Sequence, residues 1–547
     1  VKRFLAFFDA HQNALPLQNL AAAVLLLSFF AHSFYSVRQI ATTSDEPLHY
    51  KYGQRLLKGN AARIKESVMP VSAWNALPEA LAELLPQGKL QRFLGSQLVA
   101  RLMTTLFACA VGWLVFSFAR RLYGFFPALL SLGLYVFDPN ILAHAQLITT
   151  DLYATGALLL VVFCAWRLTV SRSWGNRVLF AASLGLAQVT KFTAISFVPV
   201  IFLTLLIHDV IQLRQQGRGD RPRAWAGLLR EYLLLLGLVS LAVVLVLNAA
   251  YLGQRTLTPF GEYSFRYDFF SGLQQKFPAL NQLLVPVPYA HLQGLDWIFE
   301  FERIGAGHGN HYLLGQARTG KGFWGYFFVA FLLKEPLATQ ILLLAALWVY
   351  FSDPKRRALL WRQELFLLLP VLFYTIYFNF FYNSQVGLRY YLIVFPLLQV
   401  FAGSLFVNWR RFSTRQAAAL AGLLAYLVVS VFSYYPYYLP YFNELVWDRR
   451  FAYRYLADSN LDWDQGQLAL IRYLQANPQA DFDPGTITAG KIVVAPNALV
   501  GVTTDPQQYA WLRDNFSPKE VIAFEYLVYD ISTQEVKDYC ARVHTCP

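Results

Sequence analysis

Apolar residues in this chain gather into continuous blocks separated by short polar turns, with no alternation of apolar and polar positions inside the blocks. A helix of ~20 residues crosses the ~30 Å hydrocarbon layer, and unbroken runs point to helices rather than to a barrel. The pattern predicts about eleven spans, at 20–37, 97–119, 125–138, 150–170, 177–190, 193–210, 231–252, 324–350, 364–381, 389–407 and 416–438. From 440 onward the hydropathy falls and the pattern becomes mixed. A helical stretch over 461–477, strand-like KIVVA and VIAFEYLVY, and helix-like PQQYAWLRDNF and TQEVKDYC predict a small α/β domain. The expected fold class is an α-helical polytopic membrane protein with two domains. Residues 1–439 form the transmembrane part, with large loops at 38–95 and 253–323, and 440–547 form the α/β domain. No internal repeat or low-complexity segment is visible.

Composition agrees: 56% of the 547 residues are hydrophobic and 14% charged, more apolar matter than one soluble core requires. The net charge of +13 does not read as a nucleic-acid surface, because the basic residues crowd into every second loop. Lys2/Arg3, Arg120/Arg121, the run Arg214 to Arg230, Arg356/Arg357 and Arg410/Arg411 mark the cytoplasmic side. An odd number of spans from a cytoplasmic N-terminus puts loops 38–95 and 253–323 and the α/β domain outside. The expected location is a bacterial cytoplasmic membrane with a periplasmic site. The first apolar run has no peptidase site after it and is expected to remain as an anchor.

In loop 38–95, apolar residues spaced among charges at 52–66 and 71–85 fit helices lying in the membrane interface, or soluble loop helices. Loop 253–323, rich in Gly, Pro and aromatics, holds His291, His308 and His311 and has the size of a lid or acceptor platform. Cys109 and Cys164 lie in apolar runs. Cys540 and Cys546 fall on the oxidising side, where a small bridge is permitted but not required.

Ionisable groups at membrane spans are costly and so need a reason. Several fall at the outer ends. Asp45 and Glu46 follow the first span in TTSDEPLHYKYG (42–53), which also holds His49 and Tyr52. Asp151 opens the span at 150, Lys191 sits in the turn GLAQVTKFTA, Arg101 lies one turn inside its span, and Arg389 begins GLRYYLIVFPLL. Each has a plainer reading: Asp151 as a helix cap, Lys191 and Arg101 as snorkelling cations, Arg389 as the partner of a loop carboxylate. Lys334 and Glu335 read as a mutual pair, and His144 is a further candidate. Carboxylates among cations at a membrane surface suit a donor bearing a lipid phosphate. Lys191, Arg389 and Arg101 would hold the phosphate, and a carboxylate would take the acceptor's proton. The loop histidines lack a metal-ligand spacing. They give no sign of a zinc site; no cofactor is expected, and a divalent cation is left open.

In order along the chain, DEPLHYKYG, ARLMTTLFACAVGWLVFSFARRLYG, NILAHAQLITTDLYATG, GLAQVTKFTA, GFWGYFFVAFLLKEPL and GLRYYLIVFPLL resemble the GT-C membrane glycosyltransferases, nearest the protein O-mannosyltransferases and lipid A aminoarabinose transferases. DSNLDWDQGQL (458–468) is similar to a motif of phospholipid-carrier-dependent bacterial members. The resemblance implies a polyprenyl-phosphate sugar donor and inverting, metal-independent transfer. Asp45 would be the general base, Glu46 its companion, Asp151 a second acid, and Lys191, Arg101 and Arg389 would lie near the phosphate. Where many relatives have His/Asn-Pro-Pro-Leu in the first loop, this chain has Met69-Pro70-Val71-Ser72, so contacts from that loop do not carry over.

The leading expectation is an enzyme moving sugar from undecaprenyl phosphate to lipid A, protein or polysaccharide, with membrane lipids as its surroundings and its oligomeric state open. The alternatives are a flippase for polyprenyl-linked glycans, and a membrane-anchored binding protein in which Asp45 is dispensable.

Overall fold

The computed structural model describes residues 15–543 except 66, 218–221, 306–308 and 359. Lys2, Arg3, His308, Cys546 and part of the Arg214–Arg230 run therefore lie outside the described residues. Every predicted apolar block contains helix. Among the described residues, seven helices are long and apolar enough to cross a membrane, or eight if a bent pair counts as one span. That is fewer than the eleven blocks, and the physical cause is local. The block 324–350 is two helices, Tyr326–Lys334 and Leu337–Ser352, bent by 112° where Pro336 has no N–H to continue the ladder. Three other blocks form helices of 12, 14 and 16 residues, Phe125–Val136, Trp174–Ala187 and Leu365–Phe380, only ~18–24 Å long at the α-helical rise.

Two spans are central. Asp151–Val170 is buried on nearly every side, and Leu388–Arg411 begins as a 3₁₀ turn, Leu388–Val394, packed against it. Pro222–Ala250 and Thr414–Phe432 bury only three residues each and turn their remaining apolar flanks outward. Residues opening the central spans thus sit inside the bundle rather than at its rim.

Loop 38–95 folds as helices Glu46–Leu57, Ser72–Ala82 and Lys89–Leu94. The first two touch backbone to backbone at Gly53, where a Cβ would lie 2.2 Å from the Ser72 carbonyl oxygen. Loop 253–323 holds helices Asp268–Lys276 and Tyr289–Ile304 and a hairpin pairing His311–Leu313 with Gln316–Arg318. Toward the C-terminus a four-stranded sheet runs, in spatial order, Asp481–Phe482, Gly490–Val494, Tyr526–Ile531 and Glu520–Ile522, with the first pair parallel and the others antiparallel. The run read as one strand, VIAFEYLVY, is two strands. Ala523 and Phe524 take positive φ of 56° and 58° and reverse the chain. The helix expected from 461 begins at Gln467, because residues 458–466 form an irregular loop. One apolar core joins both regions, running from Val115, Leu152 and Phe395 through Tyr441 to Ile492 and Leu499. Cys540 is disulfide-bonded.

Candidate functional site

Neighbouring carboxylates in the DEP turn point in different directions. Glu46 opens its helix with Pro47 behind it, and its Oε1 accepts from Thr43 N at 3.0 Å and Thr43 Oγ1 at 3.1 Å. Arg101 closes on it as a fork, Nε to Oε2 at 2.7 Å and Nη2 to Oε1 at 2.6 Å. Ile148 N donates to Oε2 at 3.2 Å, while Arg101 Nη2 also donates to the Ala41 carbonyl at 2.6 Å. With side chains 0% and 5% exposed, this pair is a buried clamp that ties the 40–46 turn to two other segments. Neither residue reaches the cavity described next.

Because Glu46 supplies the turn's local hydrogen bonds, the Asp45 carboxylate makes no cap contact and faces a cavity. Arg389 Nη1 donates to Asp45 Oδ2 at 3.1 Å and Lys65 Nζ stands 3.9 Å from Oδ1. Across the same cavity, Lys191 Nζ donates to Asp151 Oδ1 at 2.5 Å. Asp151 is the first residue of its helix, where the backbone dipole favours a negative charge. Thr150 makes no side-chain cap, so the Asp151 carboxylate serves an ion pair. Tyr390 lies beneath both cations: Lys191 Nζ is 3.9 Å and the Arg389 guanidinium carbon 5.6 Å from its ring centre. The cavity is also lined by His49, Phe192, Thr193, Glu302, His311, Tyr382 and Ser384.

Burial alone would raise the Asp45 pKa, but the cations Arg389 and Lys65 outweigh it and hold the carboxyl below its ordinary value. His49 is buried enough that desolvation brings it down to about 4 despite Asp45 and Asp151, so the ring is neutral at physiological pH. Burial similarly lowers the Lys191 ammonium against the opposing pull of Asp151, and raises Glu302, whose carboxylate accepts from Asn383 N at 2.5 Å and Ser384 N at 3.3 Å.

Other sequence candidates lie elsewhere. Tyr52 is fully buried and donates to the Ala61 carbonyl at 3.2 Å, packed with Leu247 and Tyr251. His144 and Lys334 line a separate small cavity beside Arg389. The expected Lys334–Glu335 pair does not form. Lys334 Nζ donates to the carbonyls of Leu439, at 2.7 Å, and Asn460, because the helix ends between the two residues and sends their side chains apart. Sequence reasoning did not single out Lys65, Tyr390, Glu302 or Trp463, though Tyr390 sits beside Arg389 in GLRYYLIVFPLL and Trp463 lies within DSNLDWDQGQL. His291 is buried behind Phe192, whereas His311 does line the cavity. Among the described residues, no group of three or more His, Cys, Asp or Glu side chains is placed to hold a metal ion.

Residues 89–217 match the family model described as dolichyl-phosphate-mannose-protein mannosyltransferase. No curated protein matches the chain. Among solved structures, ArnT from Cupriavidus metallidurans bound to undecaprenyl phosphate is similar with a TM-score of 0.48 and 16% identity, over 75% of this chain and 64% of that one. The Archaeoglobus fulgidus oligosaccharyltransferase in the apo form is similar with a TM-score of 0.43 and 12% identity, over 75% of this chain and 54% of that one. The chain thus spans less than two thirds of the length of either. The family match, whose segment carries Arg101, Asp151 and Lys191, bears out the resemblance to GT-C membrane glycosyltransferases read from the motifs.

Proposed function

We propose that this chain is a membrane glycosyltransferase that moves a sugar from a polyprenyl phosphate to an acceptor at the extracytoplasmic face of a bacterial cytoplasmic membrane, with inversion and without a metal. The observation that carries the reading is the convergence of the Asp45–Arg389 and Asp151–Lys191 pairs on one cavity from four distant parts of the sequence. Asp45 takes the proton of an acceptor hydroxyl or amine as that atom bonds to the anomeric carbon. The bond from that carbon to the phosphate oxygen breaks, and its electron pair leaves on a phosphate held by Lys191 and Arg389. In the free protein Arg389 depresses Asp45. A phosphate that takes over Arg389 removes that restraint and adds a negative charge nearby, so the base strengthens when donor is bound.

A carrier role for polyprenyl-linked glycans has less support. Toward the opposite end of the bundle, Arg172, Arg177, Asp209 and Glu231 are consumed in pairs with one another at 2.5–3.3 Å.

The test is transfer of labelled sugar from a purified polyprenyl-phosphate donor to envelope acceptors. With Lys191→Ala the donor KM is expected to rise ~10- to 100-fold, the worth of hydrogen bonds to a charged group. An unchanged KM removes Lys191 from the phosphate site. The pH profile is a second check. Protonation silences Asp45, and its pKa is depressed, so the acid limb of kcat/KM falls below the ordinary carboxylate range. His49, already brought down to about 4, contributes no inflection near 6.5. A limb centred between 6 and 7 that vanishes in His49→Gln assigns the base to the imidazole instead.

A further inference from the structure

The loop 458–466 (DSNLDWDQG) faces two ways. On one side it is rooted beside the C-terminal sheet. Gly466 N donates to Glu525 Oε2 at 2.6 Å, Asn497 Nδ2 to the Asp462 carbonyl at 3.0 Å, and Asp458 N to Asn497 Oδ1 at 2.7 Å. On the other side it grips both turns that present the cavity's first ion pair. Ala41 N, four residues before Asp45, donates to the Gln465 carbonyl at 2.8 Å. Leu388 N, next to Arg389, donates to Asn460 Oδ1 at 2.9 Å, and Ser459 Oγ donates to the Val386 carbonyl. The approach is close enough that a Cβ on Gly387, whose φ is +145°, would stand 2.4 Å from Ser459 Oγ.

Between these anchors Trp463, 6% exposed, lays its ring under the Arg389 guanidinium, whose central carbon is 4.0 Å from the ring centre. Trp463 does not line the main cavity. Its influence on the site runs through Arg389, a cation with one hydrogen bond to Asp45 and an Nε without a partner. A guanidinium so lightly tethered by hydrogen bonds owes its plane to the rings around it. Tyr390 is farther off, at 5.6 Å.

We propose that Trp463 is a positioning residue that orients Arg389 toward the cavity, and that loop 458–466 is the piece by which the C-terminal region sets the Asp45 and Arg389 turns against each other. The proposal rests on the reading of Arg389 as a donor-phosphate ligand. A face-on aromatic holds the planar cation in place while leaving its N–H groups free for an incoming anion, which a carboxylate in the same position would not do.

The experiment compares Trp463→Phe with Trp463→Leu in the full-length, detergent-purified protein. Both are apolar and smaller than Trp, so both leave some of the buried space unfilled, but only Phe keeps a π face. Trp463→Leu is expected to raise the donor KM ~3- to 30-fold, the range of a buried cation–π contact, with kcat little changed, and Trp463→Phe to stay near the parent. Phenylglyoxal modification of Arg389, read by peptide mass spectrometry, gives a measure independent of turnover. It is expected to accelerate in Trp463→Leu and not in Trp463→Phe. Equal donor KM and equal modification rates in the two variants overturn the proposal while leaving the transferase reading intact. A fall in kcat alone, or a misfolded Leu variant beside a folded Phe variant with parental KM and unchanged Arg389 reactivity when a second substitution, Trp463→Met, replaces Leu, also overturns it. Parent protein that transfers no sugar overturns both.

Discussion

Asp45→Asn is expected to lower kcat by about 10²- to 10⁴-fold, the usual contribution of a positioned general base, with the donor KM close to that of the parent. Asn has the size of Asp and can still accept from Arg389, so the 46–57 helix and the cavity stay formed. What disappears is the site proposed above for the acceptor's proton. The measurement is single-turnover transfer from a labelled polyprenyl-phosphate sugar, with thermal unfolding in parallel. Full turnover in a folded Asp45→Asn protein moves the base elsewhere, with His49 and Asp151 the alternatives on the same cavity. Asp151, however, is held by Lys191 at 2.5 Å in a side chain only 4% exposed, a poor place from which to reach an acceptor.

Glu46→Ala is expected to act on the fold instead. Removing this carboxylate leaves the Arg101 guanidinium buried with backbone carbonyls as its remaining partners, and strips acceptors from Thr43 N and Ile148 N. Breaking a buried pair by deleting one partner costs about 3–5 kcal/mol. The variant should therefore unfold at lower temperature and be recovered in low yield, with activity lost in proportion to folded protein. A Glu46→Ala protein as stable as the parent but inactive would place Glu46 in the chemistry and contradict the clamp. Two adjacent acids with opposite failure modes, one kinetic and one structural, make a sharp internal control.

The seven or eight long spans and the mixed C-terminal region could be read from hydropathy, because a helix facing lipid must be apolar along its whole length. Phe125–Val136, Trp174–Ala187 and Leu365–Phe380 were less legible as spans. A short helix packed among others is as apolar as a crossing one, and composition does not record its length limit. The single strand expected over 521–529 failed for a similar reason. A reversal at Ala523-Phe524 uses positive φ at residues that carry no turn signature in sequence.

Within the site, residue type and position at a span's end were enough to draw Asp45, Asp151, Lys191 and Arg389 from the sequence, since charge in a membrane requires explanation by itself. The sequence by itself determined the class of chain and most of the charged groups in its cavity. Tertiary structure alone decided which of those charges meet. Glu46 and Arg101 are, like the cavity residues, a carboxylate and a cation near the ends of predicted spans, yet they face each other because the DEP turn rotates consecutive side chains to opposite sides. Trp463 lies in the DSNLDWDQGQL motif but had no role there, since an aromatic beside a sheet is ordinarily core and nothing local says that a cation from residue 389 will lie on it. Alternation of hydrophobic blocks is a property of neighbours in sequence. The DEP turn that opens Asp45 to the cavity is held by partners 55 and 102 residues away, and contacts of that range exist only once the bundle has closed.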